Sequence, residues 1–138
     1  LEGVVIKENC NIGPSARIRP NSIIGPNSKV GNFVEIKNSK IGKKVSISHL
    51  SYIGDAQVGN NVNIGAGTIT CNYDGNKKHK TIIKDDVFIG SNSSLIAPIV
   101  LQEKSKIAAG SVITKNIPKL SLAIERSHLK ILRNKRTK

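Results

Sequence analysis

In the stretch Ile12-Gly-Pro-Ser-Ala-Arg-Ile18-Arg-Pro-Asn-Ser-Ile-Ile24-Gly-Pro-Asn-Ser-Lys-Val30, a branched aliphatic residue returns at every sixth position. A helix repeats every 3.6 residues and a strand every two, so a beat of six fits neither element in its ordinary form. The beat extends back to Ile6 and forward to Ile36, slips to five residues before Ile41, and resumes through Ile47 and Ile53. After a second slip it passes through Val58 and Ile64, lapses, and returns at Ile83, Ile89, Leu95, Leu101, Ile107 and Ile113. So short a self-similar period predicts a wound chain in which each unit sends one aliphatic side chain to a common axis. Within a unit the anchor is followed by Gly or another turn-tolerant residue, two polar residues and a small one, as in Val58-Gly-Asn-Asn-Val-Asn63.

The 138 residues allow one elongated domain. No apolar stretch approaches the roughly 20 residues of a membrane span, and no signal pattern opens the chain. The expectation is a cytoplasmic protein without a membrane partner. Cys10 and Cys71 are too few for a disulfide framework and read as free thiols. A net charge of +13 attracts phosphate groups of any kind. Against nucleic acid as the partner stand the mere four aromatic residues, Phe33, Tyr52, Tyr73 and Phe88, and the absence of any RNP-like, zinc-finger or basic-zipper pattern. The chain begins at Leu1 in mid-pattern, which leaves two readings: a piece of a longer protein, or a freestanding unit.

The repeat resembles the hexapeptide-repeat family, whose fold is a left-handed parallel β-helix with three units to each triangular coil. The resemblance implies an all-β prism of five to six coils, about 25–30 Å tall at the usual strand spacing. From Cys71 to Lys80 the sequence reads as an extruded loop, where function concentrates. Residues 1–117 are assigned to the β-helix. Residues 118–138 form a C-terminal arm and basic tail charged by Arg126, Lys130, Arg133, Lys135, Arg136 and Lys138, which reads either as a frayed, solvated terminus or, over Ile124 to Leu132, as a short helix or arm packed against a neighbouring prism.

A closer resemblance lies in Ser48-His-Leu-Ser-Tyr-Ile-Gly-Asp-Ala56 and Asn61-Val-Asn-Ile-Gly-Ala-Gly-Thr-Ile-Thr-Cys-Asn-Tyr-Asp-Gly75. Together with Gly13–Pro20, Gly31–Lys37 and Phe88–Ser91, these resemble the acetyltransferase domain of the bifunctional N-acetylglucosamine-1-phosphate uridyltransferase / glucosamine-1-phosphate N-acetyltransferase family. The match covers about Ile12 to Ser111. It implies acetyl transfer from acetyl-CoA to the amine of glucosamine 1-phosphate, feeding UDP-N-acetylglucosamine and bacterial envelope precursors, in a homotrimer with active sites between subunits. Nothing in the chain corresponds to the uridyltransferase domain.

The resemblance also assigns roles. An amino sugar arrives mostly as ammonium, so a base with pKa near 7 is needed, and His49 matches that base. Glu35 matches a carboxylate that orients it. Arg19 and Lys37 match the phosphate-holding positions, while Tyr52 and Asn63 match sugar-positioning residues. Asn72 meets both sugar and donor, where an amide suits either placing the amine or meeting a developing oxyanion. Lys78 reaches from the loop into the cleft of another chain. For acetyl-CoA the matching positions are Ala66, Asn72, Tyr73, Ser91, Ala109 and Arg126. Attack is direct, with Cys71 a structural thiol, and no metal is expected because His49, His79 and His128 lack ligand spacing. The tail lacks the Trp-containing ending common in the family. Two other readings remain at this stage: a hexapeptide acyltransferase with another phosphorylated acceptor, and a noncatalytic basic scaffold.

Overall fold

The computed structural model describes residues 3–133; Lys135, Arg136 and Lys138 of the basic tail lie outside the described residues. Parallel strands of two to four residues stack into three sheets of six, seven and six strands. Successive strands fall on successive sheets, and each pairs with the strand one coil on: Ile6 lies opposite Ile24, Ile12 opposite Val30, Ile18 opposite Ile36. Three units therefore close one coil. The architecture is the left-handed parallel β-helix expected from the beat and the resemblance.

The anchors from Ile18 to Ile113 are buried, while Ile6 and Ile12, near the open end, are only partly covered. Burying one such side chain is worth about 1.5–3 kcal/mol, so the stacked columns dominate stability. A second buried column runs two residues before the anchors and is largely Ser and Val. Its hydroxyls staple coil to coil: Ser28 Oγ donates to the Gly42 carbonyl at 2.9 Å and accepts from Val45 N at 3.1 Å. The corners are turned by left-handed residues, chiefly Asn and Asp: Asn27, Asn61 and Asn92 have φ of 60°, 57° and 58°. Apart from Gly13, whose φ is +87°, the glycine after an anchor does a different job from the one the sequence suggests. A Cβ on Gly25 would lie 2.3 Å from the Gly42 carbonyl oxygen, so the residue permits close stacking rather than an unusual φ.

Two features depart from the sequence expectations. The repeat does not lapse after Ile64. Thr70, six residues on, occupies the next anchor position opposite Leu95 and is buried. Its Oγ1 accepts from Gly54 N at 2.8 Å, so a residue shaped like Val carries a satisfied hydroxyl into the core. The excursion proper runs from Asn72 until Thr81–Ile83 rejoins the first sheet beside Ala56–Val58. At the other end, Leu122–Ala123 pairs with Lys106–Ile107 and supplies a seventh strand to the second sheet, beyond the five to six coils counted from the anchors. No helix forms in the described arm after Ala123. Its ten residues are too few for a helix without a partner face, and Leu129, Ile131 and Leu132 are more than four-fifths exposed.

Candidate active site

The third sheet, from Arg17–Ile18 to Val112–Ile113, has a functional column at each lateral edge. At the edge where its strands end, the register stacks Arg19, Lys37 and Gly54 coil on coil and, one residue on, sets Asn38, Asp55 and Asn72 in the adjoining corner column: Ile18 pairs with Ile36, Lys37 with Gly54, and Ile69 with Tyr52. Lys37 Nζ contacts both Asp55 oxygens at 3.2 and 3.1 Å. Asn38 Nδ2 donates to Asp55 Oδ1 at 2.8 Å, and Asn72 Nδ2 donates to Asp55 Oδ2 at 2.8 Å and to the Tyr52 hydroxyl at 3.2 Å. Asp55 is buried and Lys37 nearly so, with side chains 8% and 15% exposed. Burial alone would raise the Asp55 pKa, but donation from Asn38, Asn72 and Lys37 outweighs it and holds the carboxyl below its usual range. Burial alone would likewise lower Lys37, and the Asp55 carboxylate reverses the sign. A recess of about 330 Å³ lined by Arg19, Pro20, Asn21, Lys37 and Asn38 opens beside this column.

The loop folds over the same edge. Its neck is held by His79 N donating to the Asn72 carbonyl at 2.7 Å and by a bridge between Tyr73 and Lys78. Its tip is organised by Asp74, which accepts from Lys77 N, from the His79 ring at 2.7 Å and from Asn76 N; these bonds hold its carboxyl well below the carboxylate range. Lys78 lies against Lys37 of its own chain, and that neighbouring ammonium lowers its pKa. Within one chain the hairpin neck thus turns the loop back over the prism's own edge. Tyr73 is exposed, its hydroxyl donating to the Gly75 carbonyl at 2.8 Å.

The opposite edge of the third sheet, where the second sheet's strands end, carries His49, Ala66, Ser91 and Ala109. Ile47, Ile64, Ile89 and Ile107 are successive register partners, so the residues two positions on form one column. Main-chain bonds continue it: Gly67 N to the His49 carbonyl at 3.4 Å, Asn92 N to Ala66 at 2.7 Å, and Gly110 N to Ser91 at 2.8 Å. Arg126 follows in the same corner, after Glu125 N bonds to Ser111 Oγ at 3.2 Å. Two small alanines and main-chain groups along a narrow ledge suit an extended ligand.

Apart from Asn63, the residues singled out from the sequence therefore form two groups, one face apart. His49 is exposed, and among the described residues its ring has no hydrogen-bond partner. Glu35 does not reach it, since its Oε2 accepts from Arg19 Nη1 at 3.2 Å across the sheet. Asn63 lies on the second sheet between Ser46 and Phe88, away from Tyr52. Cys71 is half-buried, and burial raises its pKa, as befits a thiol that is not a nucleophile. Among the described residues no cluster of three or more His, Cys, Asp or Glu side chains is placed to hold a metal ion.

Asp55 was missed by sequence reasoning. In Ile53-Gly-Asp55 it reads as a corner residue, and its φ of 51° bears that out. The signal was its place in the matched motif, two residues beyond an anchor, where a buried carboxylate needs partners. Asn38, also a corner residue, was overlooked for the same reason.

A family model described as the GMPPB C-terminal domain matches residues 1–105. The bifunctional GlmU proteins of Thermodesulfovibrio yellowstonii and Desulfitobacterium hafniense are 59% identical over 127 residues and 58% identical over 130. These alignments take in 92% and 94% of this chain but 28% and 29% of theirs, so the chain spans less than a third of the length of these curated relatives. Among solved structures, a variant of AntD, an N-acyltransferase from Bacillus cereus, superposes with a TM-score of 0.81 at 20% identity, covering 97% of this chain and 86% of that one. PerB from Caulobacter crescentus superposes with a TM-score of 0.70 at 21% identity over 83% and 54% of the two chains. At such identities the likeness shows the fold. The GlmU relatives bear out the resemblance drawn from the motifs.

Proposed function

Since the chain belongs to the GMPPB C-terminal domain family and is a relative of the bifunctional GlmU proteins, we propose that it transfers an acetyl group from acetyl-CoA to the amine of glucosamine 1-phosphate. The product, N-acetylglucosamine 1-phosphate, would serve UDP-N-acetylglucosamine synthesis. The observation that carries the reading is the pair of columns bordering one sheet. A cationic edge with Arg19, Lys37 and Lys78 suits a sugar phosphate, and a ledge of small residues beside His49 suits pantetheine. AntD and PerB, on the same fold, were solved with coenzyme A and a nucleotide-linked amino sugar, which favours an amino-sugar acceptor here.

In this reading His49 takes a proton from the acceptor nitrogen as that nitrogen attacks the thioester carbonyl. The N–C bond forms, the C–S bond breaks, and CoA leaves as the thiol. The two columns lie a full face apart in one chain, so a homotrimer that sets the acceptor edge of one prism against the donor ledge of the next would complete the site. Glu35, freed from Arg19 when a phosphate takes that guanidinium, would then orient His49. The test is release of CoA thiol with glucosamine 1-phosphate as acceptor. Wild type turns over and His49→Ala loses at least about a hundredfold in kcat. An inactive, correctly assembled wild type overturns the proposal, and an unimpaired His49→Ala removes His49 as base.

A further inference from the structure

Asp55 belongs to no assigned role, yet it is the hub of the acceptor edge. Its buried carboxylate accepts from Lys37, Asn38 and Asn72. An ionised carboxylate only accepts, so the group that faces it from Asn72 must be the amide nitrogen. That nitrogen has two hydrogens, and both are committed: one to Asp55 Oδ2 at 2.8 Å, the other to the Tyr52 hydroxyl at 3.2 Å. Among the described residues Asn72 Oδ1 has no hydrogen-bond partner, and although the residue is only 8% exposed, this oxygen is not among the fully buried unsatisfied atoms, so part of it is open.

We propose that Asp55 is a positioning residue that locks the Asn72 amide with its oxygen outward, making Asn72 an acceptor for an N–H of the incoming amino sugar and not a donor to the oxyanion. The proposal rests on the acetyltransferase reading above. It removes one of the two roles open to Asn72, because an amide whose N–H groups are both spent has none for a tetrahedral intermediate. Holding one amine N–H leaves the nitrogen lone pair with a fixed direction of attack. The same carboxylate steadies Lys37, so the amine and phosphate ends of the acceptor are gauged from one buried point.

The experiment compares wild type, Asp55→Asn, Asn72→Asp and the double variant Asp55→Asn/Asn72→Asp in steady-state kinetics. Asp55→Asn presents an amide to Asn72 and lets it turn. Its kcat/KM for glucosamine 1-phosphate is expected to fall about tenfold to a hundredfold, with the KM for acetyl-CoA within about twofold of wild type. Asn72→Asp alone sets two carboxylates face to face and should fall at least as far. The double variant restores the bond with its polarity reversed and offers an oxygen, with no donor, to the acceptor. At least about a tenfold recovery over Asp55→Asn supports the proposal, since a donor role for position 72 would leave the double variant as impaired as either single. No recovery overturns it, as does an unimpaired Asp55→Asn. So does failure of the near-isosteric Asp55→Asn to fold, which would make the carboxylate a structural part. Wild type inactive on glucosamine 1-phosphate would instead strike the acetyltransferase reading itself.

Discussion

Gly31, in the strand Lys29–Asn32, tests how closely the coils are stacked beside His49. A Cβ built there lies 1.8 Å from the Ser48 carbonyl oxygen and 2.7 Å from its carbonyl carbon. Reaching even 3.0 Å, below which real Cβ atoms are essentially never seen, requires the two backbones to part by about 1.2 Å. The obstacle is the neighbouring coil itself, so no side-chain rotation relieves it. Local bonds such as Lys29 N to Val45 O at 2.8 Å and Leu50 N to Asn32 O at 3.1 Å would stretch toward 4 Å and cease to be bonds. Losing two or three at about 1 kcal/mol each, with some packing strain and a small gain from a stiffer unfolded chain, predicts about 3 kcal/mol of destabilisation for Gly31→Ala. At roughly 3 °C per kcal/mol for a domain of this size, Tm falls by about 10 °C. Gly75→Ala is the control: nothing lies within 4 Å of its Cβ, and only its φ of +100° opposes the change, so its loss should stay near 1 kcal/mol. Thermal unfolding at fixed protein concentration reads both. Equal shifts in the two variants would refute the claim that coil spacing, and not glycine's backbone freedom, requires Gly31.

Thr70→Val keeps the shape of an anchor but strips the acceptor from Gly54 N, and should cost about 1–3 kcal/mol in urea unfolding; a neutral or stabilising result would show the hydroxyl to be dispensable. Asp55→Asn should lower stability by about 1–3 kcal/mol near neutrality. The folded-state pKa of Asp55 is depressed, so its contribution is full above the unfolded value near ~3.9 and is lost as pH falls through the folded one. Lys37 runs oppositely: its raised pKa gives a contribution full below the unfolded value near ~10.4 and lost as pH rises through the folded one. The gap between wild type and Asp55→Asn should therefore close at both ends of the pH range, and parallel stability curves would contradict the pairing. Asp74→Ala removes the acceptor that ties Asn76, Lys77 and His79 together, and should speed proteolytic nicking of the 72–80 loop several-fold with the prism intact; unchanged nicking would mean the loop is held elsewhere.

Each six-residue unit contains its own turn and its own anchor, so the winding is a local property and is legible in the chain. Where an anchor is polar, as at Thr70, the beat hides, since only the opposing Gly54 N reveals why a hydroxyl is tolerated. The strand at Leu122–Ala123 hides too, because the residue it sets opposite Ile107 is Ala123, too small to continue the aliphatic beat. The site residues were legible through motif resemblance, one at a time, without their grouping. That His49 joins Ala66, Ser91 and Ala109 on one edge while Arg19, Lys37 and Asn72 gather on the other follows from register, and register depends on two five-residue slips and one excursion adding up along the chain.

By itself, then, the sequence determined a wound β-helix with a loop leaving it near residue 72, because periodicity and turn chemistry act within a few neighbouring residues. Only the tertiary structure decided what Asp55 does, which way the Asn72 amide faces, and that Glu35 meets Arg19 and not His49. Those outcomes are set by which side chains lie about 4 to 5 Å apart on adjoining coils, and the residues that meet in these bonds are sixteen to twenty apart in the chain.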